Sequence, residues 1–267
     1  MDWLPQLLVH GLYIVFRMKN FTLTILFISF FAQGGNAQTA LKTWQVNDSL
    51  SVKQITEHVF VHESQLRLEN GSKVGCNGIV YVLNEKVILG DTPSDSATTA
   101  ALIQFIEDSL NATIRTVMVS HFHVDALGGL AACHAHGINS YSHIKTPKLA
   151  KKEGYIAPVT PVVSARLQLG NTEESMILFY GGPGHTKDNV VMYIPAEKLL
   201  FGGCMIKCIN AGYGNLADAD MKRWAGSVEI VKQNFPEAEF VIPGHGNSGG
   251  KELLDYTIEL ISGYEKK

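Results

Sequence analysis

Between Val59 and Leu89 apolar and polar positions alternate in short runs, and strands are expected at Val59 to His62, Ile79 to Val82 and Lys86 to Leu89, divided by Asn, Gly and Glu-Lys turn signals. The period then lengthens. From Asp95 to Leu110 the apolar residues Ala101, Leu102, Phe105, Ile106 and Leu110 recur at helical spacing, with Ser94 or Asp95 available to cap the first turn. A further strand, Ile114 to Val119, runs directly into His121-Phe122-His123-Val124-Asp125. That places a polar cluster at the carboxyl end of a strand, where α/β sheets gather their chemistry. The second half repeats the scheme, with strands near Met176 to Tyr180, Asn189 to Ile194, Lys198 to Phe201 and Phe240 to Ile242. Helices are expected near Met221 to Phe235, with a stripe through Trp224, Val228 and Val231, and near Lys251 to Tyr264, through Leu254, Ile258 and Ile261. Strands and helices alternating in two halves predict a mixed α/β fold of sheets covered by helices. No repeat, low-complexity tract or linker divides residues 38–267, which read as one domain.

Residues 1–37 follow a different pattern. From Met18 the order is Lys19, an apolar run from Phe21 to Phe31, then Gly35-Asn36-Ala37 before Gln38, the layout of a secretory signal. The run is shorter than the ~20 apolar residues of a comfortable membrane span. We therefore expect a leader starting at Met18, cleavage after Ala37, a periplasmic or secreted product, and no stable membrane anchor. A retained anchor is the competing reading, helped by the second apolar stretch Leu7 to Phe16.

Of the 267 residues 46% are hydrophobic and 18% charged, enough to bury a large core. A formal net charge of −3 with no long run of Lys or Arg gives no electrostatic reason to bind nucleic acid. Four cysteines, Cys76, Cys133, Cys204 and Cys208, show no paired framework. A thiol kept free in an exported protein is usually protected by burial or by a metal.

His121 and His123, two apart on extended or loop backbone, can point both imidazoles at one centre, and Asp125 continues the alternation. Zinc accepts His nitrogen, Asp oxygen and Cys sulfur, and its catalytic sites keep one position open for water. Three more candidates sit in glycine-flanked loops, each after a strand-like run: His185 in Gly184-His185-Thr186, Cys204 in Gly202-Gly203-Cys204, and His245 in Gly244-His245-Gly246. Glycines let the backbone turn tightly and leave room for a metal. His134 and His136 repeat the His-x-His spacing on or after a helix beginning near Gly128, without an acidic partner, and read as structural; Cys76, Cys133 and Cys208 read as small buried hydrophobes.

Over residues 50–264 this motif order resembles the metallo-β-lactamases that hold one zinc with three His and another with Asp, Cys and His. The resemblance implies an αβ/βα sandwich, with His121, His123 and His185 on the first zinc and Asp125, Cys204 and His245 on the second. Relatives of the same fold with glyoxalase-like or ribonuclease-like chemistry carry a His after the metal Asp and a later bridging Asp, where this chain has Ala126 and Cys204. The implied reaction is opening of the β-lactam ring of penicillins, cephalosporins and carbapenems by water activated at the metals, with Asp125 orienting it. Lys207 matches the family's grip on the substrate carboxylate, and Asn215 the residue that helps polarise the lactam carbonyl. Asp91 matches a supporting residue below the metals, and Gln65 to Gly75 falls where the family has a mobile loop over the substrate. The implied partner is this small molecule alone, met by a monomer. A thioesterase or lactonase on the same scaffold, or an exported zinc-binding protein without catalysis, are the rival readings. Ala126 also departs from relatives that place Cys, Ser or Arg there, so the second zinc is expected to be held more weakly.

Overall fold

The computed structural model describes residues 41–171 and 174–264, together with one short antiparallel pairing of β1 (Arg17–Met18) and β2 (Phe21–Thr22). Apart from these four residues the expected leader, with its cleavage after Ala37, lies outside the described residues. Among those described, no helix is long and apolar enough to cross a membrane.

Residues 41–264 form two sheets. The first runs β10 (Thr160–Val162), β9 (Asn139–His143), β8 (Thr113–Val119), β7 (Lys86–Gly90), β6 (Lys73–Leu83), β5 (Val59–Arg67), β4 (Leu50–Gln54), β3 (Thr43–Asn47). The second runs β11 (Arg166–Gly170), β12 (Ser175–Phe179), β13 (Val191–Ile194), β14 (Leu199–Gly203), β15 (Phe240–Pro243). Side chains alternate across each strand, so every central strand feeds two cores. Ile88 and Met118 from the first sheet meet Met176, Leu178, Met192, Phe201 and Ile242 from the second in a shared inner core. Their neighbours Val87, Leu89, Val117 and Val119 point the other way, against α1 (Ser96–Leu110), α2 (Val124–Leu127) and α3 (Leu130–Ala135). On the far side Ile177, Phe179, Val191, Leu200 and Val241 pack on α5 (Met221–Asn234) and α6 (Glu252–Tyr264). The layers are therefore helix, sheet, sheet, helix, the sandwich that the resemblance implied.

Most periodic elements stand within a few residues of their expected ends, but β5 runs on past His62 to Arg67 and β6 begins at Lys73 rather than Ile79. Asp95 caps α1, its carboxylate accepting from Thr98 N–H at 2.8 Å. The pattern missed β3, β4, β9, β10 and β11, as well as α4 (Thr146–Lys152). β3 and β10 are edge strands, and β3 alternates only between exposed and half-buried positions, too weak a contrast to read. The stretch Gln65 to Gly75 needs correction: most of it is ladder, with Gln65 opposite Gly75, Leu66 opposite Val74 and Arg67 opposite Lys73. Only the tip from Leu68 to Ser72 is loop.

Trp224 links α5 to the loop after β14. Its ring is fully buried and its Nε1 donates to the Met205 carbonyl at 2.8 Å. Trp224→Ala is expected to lose about 3–5 kcal/mol through the cavity it leaves. Trp224→Phe keeps most of the packing and strands one buried carbonyl, at a cost of about 1–3 kcal/mol. Urea unfolding of both variants checks this order; an equal loss would mean that the hydrogen bond, not the ring, carries the stability.

Candidate metal centre

β7, β8 and β9 run parallel, as do β14 and β15, and β12 is antiparallel to β13, which is antiparallel to β14. The carboxyl ends of β7, β8, β12, β14 and β15 thus supply Asp91, the His121–Asp125 loop, His185, Cys204 and His245. His121 from the first sheet and Cys204 from the second lie in one cluster, so both sheets deliver these ends to a common edge.

His121, His123 and His185 present ring nitrogens within 4.8 Å of one another. His123 Nδ1 faces His185 Nε2 at 3.1 Å, and His121 Nε2 is buried with no hydrogen-bond partner. Buried polar atoms are normally paired, so converging nitrogens of this kind fit a metal. Burial pulls His121 down to about 3 and His185 well below the usual histidine range, which keeps both imidazoles neutral and able to donate a lone pair.

Two of the three rings are oriented from behind, whereas His185 Nδ1 is buried without a hydrogen-bond partner. Ser120 Oγ donates to Asp91 Oδ2 at 2.6 Å and meets His121 Nδ1 at 3.0 Å, so that Nδ1 carries the proton and Nε2 is left free. Ser120 N–H also donates to Asp91 Oδ1 at 2.6 Å. Burial pushes the Asp91 carboxyl well up, and the Ser120 bonds oppose it. Asp91 adopts φ 59 in the left-handed region and makes no direct approach to the His cluster, acting on it through Ser120. His123 Nε2 donates to Asp218 Oδ2 at 3.0 Å. Sequence reasoning missed Ser120 and Asp218; neither belongs to a motif, and only the nearness of Asp218 to Asn215 hinted at it.

The second cluster centres on Asp125 at the start of α2. Its Oδ2 accepts from the Cys204 thiol at 3.1 Å and from His245 Nε2 at 3.1 Å, while Oδ1 lies 3.5 Å from His121 Nε2. Cys204 Sγ and His245 Nε2 are 3.2 Å apart. Burial would raise the Asp125 carboxyl, but His121 and His245 more than offset it and hold it below the usual carboxylate range. For His245 burial acts downward, yet the hydrogen bond to Asp125 prevails and raises it to about 10. His245 Nδ1 donates to the Gly75 carbonyl at 2.7 Å, which turns Nε2 towards the cluster. Gly244 permits the approach: a Cβ there would sit 2.7 Å from Cys204 N and 2.8 Å from its sulfur.

Both clusters floor a cavity of about 700 Å³. Lys207 and Asn215 line it, and Leu66, Leu68 and Val74 form an apolar wall. Lys207 is no ordinary surface lysine: it is buried, with Nζ 5.2 Å from the Trp224 ring centre. Asn215 is exposed; its amide oxygen accepts from Ala217 N–H at 3.0 Å, which leaves the amide N–H₂ to donate elsewhere. His134 and His136 lie elsewhere, bonded to Ser140 Oγ and the Ala132 carbonyl. Cys133 is buried in the outer core as expected. Cys208, in contrast, is partly exposed and lines the cavity, and Cys76, though buried, approaches the second cluster.

Comparison with known proteins agrees with this architecture. The family described as Metallo-beta-lactamase superfamily matches residues 71–245. A curated relative from Bacteroides fragilis, Metallo-beta-lactamase type 2, is 35% identical over 229 residues, covering 85% of this chain and 92% of its own length. Among solved structures, the metallo-β-lactamase FIM-1 from Pseudomonas aeruginosa, in its mono-zinc form, superposes with a TM-score of 0.76 at 32% identity, covering 84% of this chain and 99% of that one. The metallo-β-lactamase from Pontibacter korlensis gives a TM-score of 0.76 at 31% identity, over 80% and 99% of the two chains. With its fold, its ordered strand-end loops and these relatives in agreement, the chain belongs to the metallo-β-lactamase superfamily.

Proposed function

We propose that this protein is a hydrolase that opens the amide bond of β-lactam antibiotics with two zinc ions. On this reading His121, His123 and His185 hold one ion and Asp125, Cys204 and His245 the other. The observation that carries it is the pair of adjoining donor clusters on the floor of a single cavity that also presents Lys207 and Asn215. A thiolate in the second set favours zinc over iron or manganese. Zinc, when bound, supplies Lewis acidity that polarises a carbonyl and acidifies water.

The chain's own residues do the rest. Asp125, ionised and in reach of both clusters, orients the attacking water. Lys207 draws in the carboxylate that β-lactams carry beside the ring, from a site where its ammonium lies over the Trp224 ring. The Asn215 amide N–H₂ donates to the carbonyl oxygen as negative charge grows there. Leu66, Leu68 and Val74 offer the apolar part of the substrate a wall, and Tyr155 adds an aromatic ring to the lining. All six metal donors come from one chain, which supports a monomer acting on a small molecule. The leader pattern supports an exported protein, with residues 1–37 removed and 38–267 remaining as one domain.

Hydrolysis of a penicillin, a cephalosporin and a carbapenem by the zinc-loaded mature chain tests the reading, and a chelator should abolish it; a thioester cleaved faster than every lactam would contradict it. In the same assay Lys207→Ala should raise KM for these anionic substrates several-fold more than it lowers kcat, because the ion contact exists before and during attack. Equal effects on both would remove Lys207 as the carboxylate grip.

The protonation of the clusters sets a pH dependence. His245, raised to about 10 without metal, and the Cys204 thiol, pushed up by burial, must each release a proton on binding. Proton release means that affinity rises with pH. The second site should therefore tighten steadily through the neutral range, while the three-His site, with His121 and His185 already neutral, changes less. Zinc titrations at about pH 6.5 and about pH 8.5 check this, and equal slopes for both sites would contradict it.

A further inference from the structure

Cys76 lies on β6, at the end of that strand nearest the metal centre. Its thiol, the Asp125 carboxylate and a His245 ring nitrogen lie within 4.8 Å of one another, the spacing of a metal-ligand set. The residue is buried, only 2% exposed, and its thiol donates to the Val74 carbonyl at 3.5 Å.

The backbone around Cys76 is held to the His245 loop from both flanks. On one, the Gly75 carbonyl accepts from His245 Nδ1 at 2.7 Å. On the other, Asn77 N–H donates to the Gly244 carbonyl at 2.8 Å, and its side-chain amide donates to the carbonyls of Pro243 at 2.9 Å and Gly246 at 2.8 Å. Four hydrogen bonds thus fix the thiol's anchor relative to a candidate ligand. Elsewhere around Asp125 support is thin: Ala126 has no polar side-chain atom, and its carbonyl is occupied by Thr92 N–H at 2.8 Å.

We propose that Cys76 is a fourth protein donor to the second metal position, making it an Asp-Cys-Cys-His set. This rests on the two-site reading above. Coordination exchanges the Cys76 S–H bond for a sulfur–metal bond, and the proton leaves to solvent. Four protein donors can close a tetrahedral zinc, whereas three leave a place for water. The second ion is then drawn towards the sheet and held tightly despite Ala126, reversing the expectation of a weak site. Two thiolates also shift its preference towards soft ions such as cadmium.

The test uses the full mature chain, titrated with zinc, cadmium and cobalt(II). In Cys76→Ser the second zinc should bind at least about 10-fold more weakly, with a larger loss for cadmium. The sulfur-to-cobalt charge-transfer absorption of that variant should fall to about half, one thiolate of two remaining. Cys204→Ser provides an arm independent of how Cys76→Ser folds: it should retain a sulfur-to-cobalt band that Cys76 alone can supply. Loss of that band from Cys204→Ser, or unchanged affinity and absorption in Cys76→Ser, overturns the proposal. A parent protein that takes up fewer than two metal ions overturns the two-site reading instead, and so is distinguished from a failure of Cys76 alone.

Discussion

The Asp125 carboxylate is the constraint around which the site is organised. Its side chain is 10% exposed, and it gathers Cys204 and His245 at 3.1 Å and His121 at 3.5 Å. A buried carboxylate without partners would neutralise or force the local structure apart. Here each partner comes from a different strand end, so a stable Asp125 requires that β8, β14 and β15 end at the same edge. The inner core shared by the two sheets secures that alignment: Met118, Phe201 and Ile242, each within a few residues of a site loop, are all fully buried in it.

The same arrangement separates positioning from chemistry. Asp91, Ser120, Asp218 and the Gly75 carbonyl orient His121, His123 and His245 from the side away from the cavity. Each bond assigns the proton to one ring nitrogen and leaves the other to face the clusters. The cavity side is left to Lys207, Asn215 and the apolar edge of the β5–β6 hairpin. Substrate contacts can therefore vary without disturbing the rings.

Much of this was legible in the residues. The helical period of α1, the stripes of α5 and α6 and the apolar runs of the central strands announce themselves because burial is one-sided or complete. β3 did not, since it exposes every second residue and half-buries the others. His121, His123 and Asp125 were visible as a local motif, and His185, Cys204 and His245 through their glycine-flanked loops. Ser120, Asp218 and Cys76 were not. Their significance depends on what the fold brings beside them, Asp91 from 29 positions away for Ser120 and His123 from 95 positions away for Asp218, and nothing in their neighbours' spacing reports such contacts. Cys76 shows the difficulty best: buried as a small hydrophobe should be, it has a thiol whose surroundings are acidic and basic rather than apolar.

The most direct measurement is diffraction from crystals of the zinc-loaded mature chain, with anomalous differences recorded on both sides of the zinc absorption edge. Two zinc peaks are expected at the shared strand-end edge, one among His121, His123 and His185 and the other among Asp125, Cys204 and His245. A single peak at full zinc occupancy, or a second peak bound by none of the latter three, would contradict it.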